Sequence, residues 1–145
     1  MKSSLLEQIE GSWLLVSMTY TDAKGKIVNL YGESPMGILT YDKCGYMNAQ
    51  MGYCHRSNFK NSSLGEGSAD EITAAYKTYM AYYGKYYEKE PGTIIHQVEG
   101  CLFPNWQGKE EIRYAKIEDG LLVITTPPTL FGDGEIIIKA VWKKP

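Results

Sequence analysis

The constraint that narrows this chain most is its punctuation. Short runs rich in β-branched and aromatic residues recur at 12–20 (SWLLVSMTY), 26–30, 36–41, 46–51, 85–90, 93–102, 108–118, 121–126 and 135–142. Runs of this kind read as strands. The turns between them are explicit: Asp22-Ala23-Lys24-Gly25, Asp42-Lys43-Cys44-Gly45, Pro91-Gly92 and Glu118-Asp119-Gly120 put glycine where a tight hairpin needs left-handed backbone. Strands and helices do not alternate along the chain, so the fold class is all-β, an antiparallel up-and-down barrel of eight or nine strands. Closure removes exposed edges, and the last run, EIIIKAVW, is placed to pair with the first.

One stretch breaks the pattern. Residues 52–69 (GYCHRSNFKNSSLGEGSA) are polar and aperiodic, which reads as a long loop of the kind that forms lids and binding elements. Asp70 then opens a helical segment with acids in its first turn and Gly84 as its stop. Ile72, Tyr76, Tyr79 and Tyr83 share one face of that helix, predicted to run from Asp70 to Tyr83 and to cover one barrel end.

With 145 residues, the chain is read as one domain, residues 1–145, large enough for a core without disulfides or a metal. A net charge of −2 with interspersed signs argues against nucleic-acid or anionic-membrane partners. No apolar run approaches a signal peptide or a membrane span, and Cys44, Cys54 and Cys101 lack paired spacing, so a cytoplasmic setting with reduced thiols is expected. A zinc site from Cys54, His55, His96 and Cys101 lacks ligand spacing and is set aside; no metal or cofactor is expected. Twelve tyrosines stand against three Phe and three Trp. Tyrosine suits walls that meet both core and ligand, though it also fills half-buried strand positions.

The stretch 94–114, IIHQVEGCLFPNWQGKEEIRY, holds the candidate site. A five-residue loop, 103–107, sets Ile94, His96, Val98, Leu102, Ile112 and Tyr114 on one apolar face, with His96 directly across from Tyr114 and Arg113 outside near Glu111 and Gln97. A four-residue loop instead sets Arg113 opposite His96 and brings Glu111 and Lys109 inside. The first register is preferred because it buries fewer charges, and a bulge could still bring Arg113 inward. His96 is then either a core histidine bonded to tyrosine or the polar handle of an apolar cavity. The candidate ligand-binding residues are His96, Tyr114, Arg113, Tyr79, Tyr83, Met47 and Trp106, with Met36 and Met51 as further flexible walls. Trp13 and Trp142 are expected to close the base.

Taken together, GSWLLVS (11–17), ESPMGILTYDKCGYMNAQM (33–51), YMAYYGKYY (79–87), TIIHQVEGCLFPNWQGKEEIR (93–113) and a closing Val141-Trp142 resemble the bacterial and fungal lipocalin-like domain family over nearly the whole chain. The loop after the GYM strand departs from the arginine- and proline-rich run typical of that family. The resemblance implies a calycin-like barrel with an internal cavity, and for members beside biosynthetic genes it implies binding or isomerising a metabolite.

Motifs for nucleophilic, phosphate or metal chemistry are missing. Any enzyme here would work by acid–base groups alone, from His96, Tyr114, a helix tyrosine, Arg113 or Glu99. The sequence therefore points first to binding of a small apolar metabolite by a monomer or homodimer, with a cofactor-independent isomerase or cyclase as the alternative. A ligand-free structural barrel is a third reading.

Overall fold

The two Asp-x-x-Gly turns show how local chemistry starts the sheet. In each, the aspartate Oδ1 accepts backbone N–H groups two and four residues on, Lys24 and Lys26 from Asp22, and Cys44 and Tyr46 from Asp42, all at 2.8–2.9 Å. Gly25 and Gly45 supply the positive φ, 82° and 90°, that an L side chain adopts only with strain.

A computed structural model describes residues 3–145. The strands are β1 (Gly11–Thr21), β2 (Ile27–Asn29), β3 (Met36–Tyr41), β4 (Tyr46–Gly52), β5 (Tyr79–Glu90), β6 (Thr93–Cys101), β7 (Glu110–Glu118), β8 (Leu121–Thr125), β9 (Thr129–Phe131) and β10 (Gly134–Lys143). Eight of them, β1-β3-β4-β5-β6-β7-β8-β10, form an antiparallel barrel closed by the β1–β10 pairing, while the short β2 and β9 flank β1 and β10. The expected up-and-down barrel is the observed one.

Alternation along the strands sorts core from surface. Ile9 of the short helix α1 (Leu5–Ile9), Trp13, Leu39, Tyr41, Met47, Ile94 and Leu122 pack one end solid. The Trp13 indole N–H donates to the Ile9 carbonyl at 2.8 Å, tying that helix across the base.

The second helix is shorter than the spacing predicts. It runs Ala69–Lys77, opened by a capping box in which Ser68 and Glu71 exchange side-chain-to-backbone bonds, and its cap at the far end is Thr78. Tyr79 and Tyr83 lie on β5, not on the helix. Ile72 and Tyr76 remain half exposed. Tyr76 and Lys77 still reach the open mouth of the barrel, so α2 sits at that end as a partial cover. One backbone carbonyl in its last turn and the Thr78 hydroxyl meet the neighbouring loop, since Arg56 donates to Ala75 O and Thr78 Oγ1, both at 3.0 Å.

β5 reaches β6 through a register shift between Tyr83 and Gly84. There a Cβ on Gly84 would run into the Gln97 carbonyl oxygen, a backbone atom that cannot step aside. Gly84→Ala should therefore cost about 2 kcal/mol or more. Gly134→Ala, at a position with nothing within 4 Å, should stay within about 0.5 kcal/mol. Urea unfolding of the two variants checks the contrast.

Candidate functional site

The barrel interior is not filled. A cavity of about 770 Å³ opens at the end where β1–β2, α2–β5, the β6–β7 connection and β8–β9 meet. Met18, Leu39, Ala49, Met51, Met80 and Ile124 supply apolar wall, with Tyr31, Tyr53 and Phe131 at the mouth. Burial beside Tyr53 and Tyr76 pushes the Tyr31 phenol up to about 12, so it is a neutral ring there.

The polar groups gather on β5, β6 and β7. His96, only 1% exposed, is held by two tyrosines: Nε2 lies 2.8 Å from the Tyr41 hydroxyl and Nδ1 lies 2.9 Å from the Tyr82 hydroxyl. Desolvation first, and the Arg113 charge second, hold its pKa well below 6.5. The ring is a neutral imidazole that donates through one nitrogen and accepts through the other. Tyr41 is completely buried in the closed end, and its only hydrogen-bond partner among the described residues is His96. If Tyr41 accepted from the ring, its own O–H would be stranded at a cost of about 1 to 3 kcal/mol. Hydrogen-bond accounting therefore assigns Tyr41 as donor to Nε2 and Nδ1–H as donor to Tyr82. The Tyr82 O–H is left over, on a ring that lines the cavity. Burial raises the phenols of Tyr41 and Tyr82, with Arg113 opposing in both.

Arg113 lines the same cavity and is 7% exposed. Its Nη1 donates to the Ile112 carbonyl at 2.8 Å, its guanidinium lies 5.4 Å from the Trp106 ring centre, and Glu111 approaches only to 3.8 Å. Burial raises the Glu111 carboxyl, against the pull of Arg113 and Lys109. Trp106, from the 3-10 turn Pro104–Trp106, stands edge-on to Tyr82 at 5.7 Å. Trp142, 3% exposed and also on the cavity wall, has an indole N–H without a partner.

The preferred sequence register is corrected. His96 pairs with Glu111 and Ile94 with Arg113, three residues away from the expected His96–Tyr114 pair. An odd slip exchanges the faces. Tyr114 points out and is 45% exposed, whereas Arg113 is inside. The slip arises because β6 leaves β7 early: Val98 closes the ladder with Gly108 and Lys109, and the rest of β6 pairs only with β5. Of the other candidates, Trp106 lines the cavity, while Tyr79 points outward from β5 and touches only the rim, its hydroxyl on Gln50. Tyr83 lies outside, 51% exposed, over Gly100, beside a shallow outer groove of about 550 Å³. Met47 packs in the closed end opposite Tyr41, and Met36 and Glu99 are exposed. Tyr41 and Tyr82 were missed: Tyr41 ends a run read as a strand, and Tyr82 falls inside the stretch read as helix.

A closed antiparallel barrel with one solid end, one open end and a largely apolar cavity is the architecture of a calycin-like barrel. The lipocalin-like domain family matches residues 10–145, and the chain belongs to that family. Among curated proteins, it is 30% identical over 67 residues to a 4'-hydroxy-3'-methoxypropiophenone carrier protein from Aspergillus oryzae (strain ATCC 42149 / RIB 40), a match covering 41% of this chain and 60% of that protein. The chain thus spans less than two thirds of that relative. Fold and relative are together consistent with small-molecule binding.

His96→Leu should cost about 1 to 3 kcal/mol by stranding the Tyr41 hydroxyl. Adding Tyr41→Phe should recover most of that loss in a double-mutant cycle. The depressed His96 pKa also sets a pH dependence. The unfolded chain binds the proton first, so the contribution of His96 is complete above about pH 6.5 and is withdrawn below it, by up to about 1.4 kcal/mol per pH unit. Glu111, raised in the fold, works in the opposite sense as pH falls through its titration. Urea unfolding between pH 7 and 5.5 should show a smaller acid loss for His96→Gln than for the parent chain.

Proposed function

We propose that this protein binds and carries a small, mostly apolar metabolite inside the barrel. The observation that carries the reading is the open cavity of about 770 Å³, in the size range of ligand pockets, with apolar walls and one cluster of polar groups. The relative's printed role as a carrier of an aryl ketone supports the same reading. A ring-bearing ligand suits walls rich in methionine and tyrosine. Exposed, unpaired Cys44 and Cys54 support a reducing, cytoplasmic setting. No helix among the described residues is long and apolar enough to cross a membrane.

Carriage is favoured over a cofactor-independent isomerase or cyclase by the state of His96. Both ring nitrogens are engaged by tyrosines and the imidazole is neutral, so it has no free lone pair to take a proton from a ligand. Ala49 faces the cavity and is buried, which makes it the place to block the interior. Titration with 4'-hydroxy-3'-methoxypropiophenone and a panel of lipophilic aryl ketones, followed by native mass spectrometry and thermal shift, should show saturable one-to-one binding. At a hundredfold excess over Kd the stabilisation should reach about 2.7 kcal/mol. Ala49→Phe should abolish binding while the far-UV spectrum stays that of the barrel. Failure of every panel member to bind would remove the carrier reading.

A further inference from the structure

The polar groups at the cavity wall share one property that the carrier reading does not use. Tyr82 has an O–H without an acceptor, because His96 Nδ1–H already donates to its oxygen. Arg113 is buried with one well-formed hydrogen bond, to Ile112 O, an ion-pair contact to Glu111 at 3.8 Å, and N–H groups turned toward the Tyr82 hydroxyl, where they oppose the rise of its phenol. Trp142 has a buried indole N–H with no partner. All three residues line the cavity; Tyr82 and Arg113 offer hydrogen where a ligand can supply oxygen, whereas the Trp142 N–H is sealed within the wall. Unmet donors in a buried site are costly, so a ligand that satisfies them gains what an all-carbon ligand cannot.

Charge adds a preference. The groups facing Arg113 are Glu111 on its own strand, Tyr82 on β5, His96 on β6, Tyr41 on β3 and Trp106 in the 3-10 turn. Tyr82 and Tyr41 are phenols whose burial keeps them protonated. His96 is neutral and Trp106 carries no charge. Glu111 is the one opposing carboxylate among them, and at 3.8 Å it is beyond the reach of a charge-assisted hydrogen bond. The cavity therefore holds a cation that is ion-paired to Glu111 at 3.8 Å without a direct hydrogen bond, which leaves its N–H groups available to a closer oxygen.

We propose that the Tyr82–Arg113 pair is an oxyanion-binding subsite, and that the ligand is carried with an ionised oxygen of a phenol or an acidic enol seated against it. The proposal rests on the carrier reading and adds the ionisation state and orientation of the cargo. Ionisation transfers the ligand's proton to solvent as it enters, and no bond of the ligand is otherwise made or broken. A phenolate within about 4 to 6 Å of a partly desolvated guanidinium has its pKa lowered by about 1 to 3 units.

The test uses the full chain and two probes of equal shape, 4-hydroxypropiophenone and 4-methoxypropiophenone. The first has a phenol whose ionisation is read from its near-ultraviolet absorption, and the second cannot ionise. Saturable binding of both probes, with the bound phenol titrating at least one unit below the free phenol, is the expected result. Arg113→Lys should keep the shift and Arg113→Met should lose it, while Tyr82→Phe should weaken the phenol probe more than the ether. The titration with the parent chain decides the matter even if a variant fails to fold. Binding of both probes with an unshifted phenol pKa would overturn the oxyanion subsite and leave the carrier reading standing. Binding of neither would overturn the oxyanion subsite, and the carrier reading falls with it only if every other panel member also fails to bind.

Discussion

Everything in this molecule depends on β1 serving two partners. Its first residues pair with β3, Gly11 with Tyr41 through Leu14 with Ile38, and from Leu14 onward it pairs with β10, shifting register between Leu15 and Ser17. That double pairing turns an eight-strand ribbon into a closed wall, and no long strand edge is left among the eight. Closure also fixes the interior width. Eight tilted strands leave room for one layer of side chains or one small ligand. Here the end near α1 takes the first solution and the mouth takes the second.

The division between the ends explains why charges are tolerated inside. Burying Arg113 in a packed core would need a full set of partners. Against a hollow it needs only enough to hold the side chain, and Ile112 O, the face of Trp106 and the Glu111 carboxylate 3.8 Å away supply that. His96 anchors the arrangement from below. Its ring spans the step between Tyr41, sealed in the packed end, and Tyr82, which faces the space. One orientation of one imidazole thus sets which hydroxyl is spent on structure and which is free.

Much of the architecture was legible because turn chemistry is local. Asp22 to Gly25 and Asp42 to Gly45 declare their hairpins in four residues, and the strands between follow by alternation. The helix boundary was not legible, since Ile72, Tyr76, Tyr79 and Tyr83 fit a helical face by spacing. The chain instead leaves the helix at Thr78, and from Tyr79 the tyrosines alternate across β5, Met80 and Tyr82 inward, Tyr79 and Tyr83 outward. Their preference for pleated, half-buried surface outweighs a coincidence of period. The β6–β7 register was missed for a different reason. The pairing with charges inside was judged too costly because it buries several charges at once, yet Arg113 and Glu111 pair with each other and Arg113 borders a hollow instead of packed side chains. His96, Arg113 and Trp106 were picked from residue type alone. Tyr41 and Tyr82 could not be singled out, because their roles depend on which of twelve tyrosines the barrel brings to one histidine.

The barrel has one mouth and its oxygen-seeking groups lie beyond it, and on the proposed reading this gives the cargo a direction of travel. A ligand seated on Tyr82 and Arg113 has entered oxygen first, and the part left near Tyr31, Tyr53 and Phe131 is its hydrocarbon end. Any protein that meets the loaded barrel reads only that tail. The reactive end is withheld until release, so on the proposed reading the cargo would be identified by one end and protected at the other.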